Sequence, residues 1–180
     1  NLPGAASLVM VNQLANRAPR DGTAMGLAIN SILVEPKLKL YSGAGSNVQF
    51  DLARLGWIGS PSEQPLVLSV WHTSPTLSFA DLRTRNVTLG ATSPSADGYV
   101  LPTLLNRLLG TRITLVTGYK GIAEILVAAE RGEVEGNATP LSSLATARPD
   151  DLAQGKFRVL AQFGTERAKA LPEVPTGIEL

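Results

Sequence analysis

Apolar positions along this chain switch between helical spacing and short continuous runs, and each switch marks an element. Leu8, Val11, Leu14 and Ala15 recur at helical spacing and predict a helix over Leu8–Asn16. Pro3 and Gly4 form a turn before it, and Ser7 is placed to cap it. Pro19-Arg20-Asp21-Gly22 is turn chemistry. Thr23–Ile29 and Leu55–Gly59 are strand candidates, and the Gly- and Ser-rich Tyr41–Asn47 between them reads as a loop.

Leu66–Trp71 (LVLSVW) is a continuous apolar run, as expected for a buried strand of a parallel sheet. Ser78–Leu82 is a short helix. Val87–Ala91 is a strand that leads through Thr92-Ser93-Pro94-Ser95 into a helix from Ala96 to Leu109, with Gly110 at its C-cap. Ile113–Thr117 is a strand. Ile122–Arg131 is a helix with Ile122, Ile125, Leu126 and Ala129 on one face, closed by Gly132. Val134–Ala138 is a short strand, Leu141–Ala147 a short helix and Phe157–Phe163 the last strand. Strands alternating with helices imply an α/β fold with a mostly parallel sheet. The least regular stretches, Pro61–Pro65 and Arg148–Lys156, are places for a crossover between lobes.

The length, 180 residues, suits one domain or two small lobes, and a chain of this size buries about 70% of its unfolded surface. Sixteen basic residues against fifteen acidic leave a net charge of +1, which gives no electrostatic case for nucleic acid. No cysteine is present, so disulfides and thiolate chemistry are excluded. No apolar run is long enough to span a membrane, and no signal peptide is seen. Asn-Leu-Pro-Gly at one end and Gly-Ile-Glu-Leu at the other read like the inside of a longer protein.

Enzyme motifs fail in turn. The lone histidine, His72, has no identifiable partner, and a strand-end histidine bonded to backbone is the better account of it. One histidine and no cysteine argue against zinc, and Glu130, Glu133 and Glu135 read as a solvated face. Gly59-Ser60-Pro61-Ser62 lacks the G-x-S-x-G of a nucleophile elbow. Gly43-Ala44-Gly45-Ser46-Asn47 lacks the third glycine of a dinucleotide fingerprint, and there is no P-loop.

Three turns rich in small, hydrogen-bonding residues remain, each just before a predicted helix. They are Pro3-Gly4-Ala5-Ala6-Ser7, Thr92-Ser93-Pro94-Ser95 and Gly118-Tyr119-Lys120-Gly121. Helix N-termini present unpaired N–H groups and a partial positive charge, and small residues let an anion approach them. In parallel sheets such turns gather at the carboxyl ends of the strands, where ligands bind. A ligand site and three ordinary connections stand level as accounts of them.

The motifs resemble one family. Asn1-Leu2-Pro3-Gly4-Ala5 and Ala18-Pro19-Arg20-Asp21-Gly22-Thr23 resemble signatures of the tripartite tricarboxylate transporter receptors, the TctC or Bug family of extracytoplasmic solute-binding proteins. Trp57-Ile58-Gly59-Ser60, Val70-Trp71-His72-Thr73-Ser74, Asp81-Leu82 and Gly118-Tyr119-Lys120-Gly121 fit in order. So do Glu130–Gly136 and Leu171-Pro172-Glu173-Val174-Pro175. The resemblance implies a type II periplasmic-binding-protein fold, two α/β lobes around a cleft that closes on a small carboxylate, with no chemistry and no cofactor. It also implies a periplasmic location and the membrane components of the transporter as partners.

By this resemblance the first lobe is residues 1–64, completed by 159–180, and the second is 65–158. The chain lacks the family's first β–α unit and its final helices, so the first lobe is expected to be incomplete. Implied ligand-binding residues are Pro3, Gly4, Ala5 and Ser7, Asn30 and Ser31, Thr92, Ser93 and Ser95, Gly118, Tyr119 and Gly121, and Asn137. Tyr119 is expected to orient or cover the ligand, and Asn137 to be a neutral hydrogen-bond partner. The family's Pro-Gly-Ala-Gly-Gly is Pro-Gly-Ala-Ala-Ser here, which adds the Ser7 hydroxyl. Two other classes stay open: a ligand-sensing domain of a regulator on the same fold, and an enzyme using His72 or Glu135.

Overall fold

The computed structural model describes residues 7–33, 48–60 and 65–180. The expected turn at Pro3-Gly4 and the loop at Tyr41–Asn47 lie outside them, as do residues 61–64.

The sheet is built from β1 (Leu66–Trp71), β2 (Val87–Ala91), β3 (Ile113–Thr117), β4 (Gly136–Pro140) and β5 (Phe157–Phe163). Helix α1 (Leu8–Asn16) precedes it. Between the strands come α2 (Asp81–Thr84), α3 (Asp97–Leu109), α4 (Ile122–Glu130), α5 (Leu141–Ala147) and α6 (Pro149–Ala153). Strand order is β3-β2-β4-β1-β5. β2 runs parallel to β3 and β4, whereas β1 runs antiparallel to both β4 and β5. The sequence run LVLSVW predicts a parallel strand; the structure corrects its direction. Burial on both faces of an interior position produces that apolar run, whichever way the strand points.

Helices cover both faces. Leu68 and Val70 of β1 meet Leu82 of α2, Leu105 of α3 and Leu89 of β2 in one core. Val67 and Trp71, on the opposite face, meet Ile125 and Leu126 of α4 and Leu144 of α5 in another. Gly110, with φ 67°, ends α3 in the left-handed conformation its position predicts. Arg148–Lys156 is more regular than its sequence suggests. Pro149 starts α6, Asp151 binds Arg148 at 2.9 Å and Lys156 at 2.7 Å, and Arg148 reaches Glu130 at 3.1 Å.

The N-terminal region departs furthest from expectation. Helix α1 has its predicted bounds and buries Leu8 and Val11 against Ile32. Ser7 does not cap it. Ser7 sits at φ 72° and its Oγ accepts a hydrogen bond from Ile29 N at 3.3 Å. Thr23–Ile29 and Leu55–Gly59 are not strands. A strand exists only through a partner backbone, and neither segment has one among the described residues. Their apolar side chains stay out: Met25, Leu27 and Ile58 are exposed.

Residues beyond β5 are tied to it through the fully buried Gln162. Its Nε2 donates to Leu171 O and Val174 O at 2.9 and 2.7 Å, and its Oε1 accepts from Ala168 N at 2.7 Å. Arg167 grips Glu179 with Nε and Nη2, and Thr176 N–H donates to the same carboxylate. The Arg167 hydrogen bonds and the Thr176 N–H pull Glu179 down to about 2. A lowered pKa means that this clasp is intact above the ordinary carboxylate range and is lost only as pH falls through the folded value. An NMR titration of Glu179 should find its midpoint at about 2. Arg167→Ala should raise it toward the ordinary value of about 4.3, and a native midpoint already there would contradict the clasp.

Candidate functional site

The carboxyl ends of β2, β3 and β4 point the same way, so the segments leaving these strands gather at one edge of the sheet. Ala91 pairs with Thr117 in the parallel register, so the turns Thr92–Ser95 and Gly118–Gly121 leave the sheet side by side. Asn137 of β4 pairs with Gly90 of β2, one residue before that edge. A cavity of about 210 Å³ lies here, lined by Thr92, the first turn of α3 at Asp97 and Gly98, Ile122 of α4, and Asn137–Pro140. Ile29 reaches it from the N-terminal region.

Local sequence explains the shape. Gly98 lets the first turn of α3 lie against β4, because a Cβ there would stand 2.7 Å from Ala138 O. The first N–H groups of a helix have no intrahelical acceptor, and the first turn of α3 lines the cavity through Asp97 and Gly98. Gly118 has φ 109°, a conformation for which glycine is suited, and this turns the chain sharply out of β3. Ser93 Oγ and Ser95 Oγ lie 3.1 Å apart in the turn after Thr92, and Ser95 is buried.

Asn137 is the telling side chain. It is 2% exposed, and its one hydrogen bond among the described residues is a long 3.5 Å contact from Ser69 Oγ to Oδ1. Its Nδ2 has no partner among them. Buried amides are normally satisfied, so a donor left open on a cavity wall marks a place for an acceptor from outside the chain.

The structure thus brings Thr92, Ser93, Ser95 and Asn137 to one edge, with Gly118, Tyr119 and Gly121 in the adjacent turn. Tyr119 packs its ring edge over Gly90, whose backbone is cavity wall. Burial, with the charges of Glu133 and Glu124, pushes the Tyr119 phenol up. Lys120 N–H donates to Glu124 at 2.6 Å, so the N-terminus of α4 carries a carboxylate of its own. Asn30 lies on a second, apolar groove of about 330 Å³ with Met25, Leu27 and Trp57. Ser7 serves Ile29 N, the residue that reaches the first cavity. Ser31 falls in the 3₁₀ turn Asn30–Leu33, and Pro3, Gly4 and Ala5 lie outside the described residues.

Sequence reasoning missed Asp97, Gly98, Ile122 and Ile29. Asp97 stood two residues past a named turn, where it reads as an ordinary helix-start acid. Ile122 lay on a helical apolar stripe and reads as core.

Glu135 and His72 sit at the other pole. Trp71 N bonds Glu135 O at 2.7 Å, which fixes the end of β1 beside the start of β4, away from the strand ends that form the cavity. Glu135 is no solvated residue. It accepts from Ser74 and Thr76 Oγ1 at 2.5 and 2.8 Å and from Arg85 at 2.8 Å, while Arg85 also bonds Thr76. Burial pushes its carboxyl up, but the Arg85, Ser74 and Thr76 hydrogen bonds outweigh that and hold it below its ordinary value. His72 is exposed, donates its N–H to Lys156 O at 2.8 Å and rests its ring against Trp71. No group of three metal-ligating side chains occurs among the described residues, and no helix there is long and apolar enough to cross a membrane.

Residues 1–180 match the family described as tripartite tricarboxylate transporter family receptor. An R. palustris protein solved with adipate is similar to this chain at 29% identity and TM-score 0.56, over 66% of this chain and 40% of that one. MatC from Rhodopseudomonas palustris with bound malate is similar at 26% identity and TM-score 0.53, over 65% and 40%. A TctC solute binding protein from Polaromonas shares the fold at 16% identity and TM-score 0.53, over 63% and 39%. The chain therefore spans about 40% of the length of the first two. Among curated proteins none matches.

Proposed function

Because the chain belongs to the tripartite tricarboxylate transporter receptor family, we propose that it captures a small carboxylate at the carboxyl ends of β2 and β4. It then acts as part of an extracytoplasmic, periplasmic receptor that hands the acid to the membrane components of a tripartite tricarboxylate transporter. The observation that carries this reading is the open Asn137 amide on the cavity wall, beside the first turn of α3 and the hydroxyls just after β2. The adipate and malate of the two R. palustris structures support the ligand class. Residues 1–64 would form one side of the cleft and 65–158 the other, with closure a hinge motion that sequesters the acid.

Isothermal titration with a panel of small mono-, di- and tricarboxylates tests it. At least one acid should bind. Asn137→Leu should weaken that acid by roughly tenfold or more, since a buried donor that meets the ligand is lost. Its unfolding midpoint should hardly move, because replacing a buried, poorly partnered amide by an apolar group of similar shape is close to neutral. Unchanged affinity in Asn137→Leu would remove Asn137 from the site.

A further inference from the structure

Strand β4 carries a second buried donor beside Asn137. Side chains alternate along a strand, so Asn137 and Thr139 leave β4 on the same face. Asn137 pairs with Ser69 of β1, and Thr139 with Val67, which shares a core with Ile125 and Leu126 of α4. Thr139 is buried, it lines the cavity, and its hydroxyl has no hydrogen-bond partner among the described residues. Buried hydroxyls and amides are normally satisfied. Residues two apart on a strand stand roughly 7 Å apart, a gap suited to a carboxylate that accepts at both oxygens. The surface over these donors is apolar. Gly90 of β2 pairs with Asn137 and has no side chain; a Cβ there would stand 2.6 Å from Ile125 Cγ2, so Ile125 lies directly on this strand pair. Ile122, three residues earlier on the same face of α4, lines the same cavity.

We infer that Thr139 is a ligand-binding residue and that the ligand is an acid with a short hydrocarbon chain: Asn137 Nδ2 and Thr139 Oγ1 donate to its two carboxylate oxygens, and its chain lies on Ile122 and Ile125. This inference rests on the carboxylate-binding reading and adds to it a second donor and the character of the chain. Each methylene that leaves water for the isoleucine surface strengthens binding, whereas the two donors see only the carboxylate and contribute equally to every acid of a series.

Titration calorimetry with acetate, propanoate, butanoate, pentanoate and citrate decides it. Affinity should rise with chain length, by roughly threefold for each methylene, and citrate should bind more weakly than pentanoate. Thr139→Val, which exchanges the hydroxyl for a methyl group of the same shape, should weaken every member of the series by roughly tenfold and leave its slope unchanged. Thr139→Ser, which keeps the hydroxyl, should bind close to the parent. Ile122→Ser should flatten the slope, which a merely structural Ile122 would not do. A flat series in the parent, citrate binding more tightly than pentanoate, or unchanged affinity in Thr139→Val would overturn the inference and leave the carboxylate receptor standing. Failure of all five acids to bind would overturn both. If Thr139→Val or Ile122→Ser does not fold, the series on the unchanged chain and on Thr139→Ser decides alone.

Discussion

Gly136→Ala is expected to break the sheet at its centre. Gly136 opens β4, between β1 and β2, opposite Val70 on one side and Leu89 on the other. An added Cβ would overlap the carbonyl oxygen of Ser69 and stand 2.7 Å from Val70 Cα. Both obstacles are backbone of a buried strand, so no side chain can swing aside. Overpacking of this kind costs about 3 kcal/mol or more. In a domain of this size that lowers the unfolding midpoint by roughly 6–12 °C. Calorimetry on the purified variant measures it directly. A midpoint within about 2 °C of the parent would mean that β4 and β1 do not lie this close.

Breaking the Arg85–Glu135 pair should have the next largest effect. It ties the segment after β1, through Ser74 and Thr76, to the start of β4. Thr76 is fully buried and Ser74 nearly so. Removing one partner of a fully buried pair costs about 3–5 kcal/mol. Here the side chains are 32% and 20% exposed, so Arg85→Ala should cost less, about 2 kcal/mol. Its pH dependence has a definite sign. Glu135 holds its proton less tightly in the fold than in the unfolded chain. Its contribution is therefore complete above about pH 4.3 and is lost as pH falls through the lowered folded value. Urea unfolding at pH 7 and at pH 3 should show Arg85→Ala and the parent converging in acid. An equal gap at both pH values would contradict the ionised pair.

Much of this fold was readable because the physics that makes an element also spaces its residues. Leu66–Trp71, Val87–Ala91, Ile113–Thr117 and Phe157–Phe163 have their predicted bounds, since each is an apolar run closed by turn chemistry. Strand β4 was misplaced by two residues. Gly-Asn-Ala-Thr-Pro has no apolar pattern, and the eye is drawn to Val134 instead. Thr23–Ile29 and Leu55–Gly59 had strand composition but no described partner, and pairing is a property of two segments that neither sequence displays alone. At the site, Thr92 and Asn137 were legible as polar residues at strand ends. Asp97 and Ile122 were not, because the same residue types start helices and fill cores everywhere. Asp97 is the one carboxylate among the described lining residues, and Ile122 is one of several apolar residues there, so neither position announces a cavity on its own.

We propose that the ligand sits at the carboxyl ends of β2 and β4, and the most direct test is an amide and side-chain NMR titration of this chain with whichever acid binds. The account predicts the largest shifts at Thr92–Gly98, Ile122 and Asn137–Pro140, including the Asn137 side-chain amide, with little change at His72 and Glu135. Shifts concentrated in the Met25–Trp57 groove, or at the His72–Glu135 pole, with Asn137 unmoved, would contradict it.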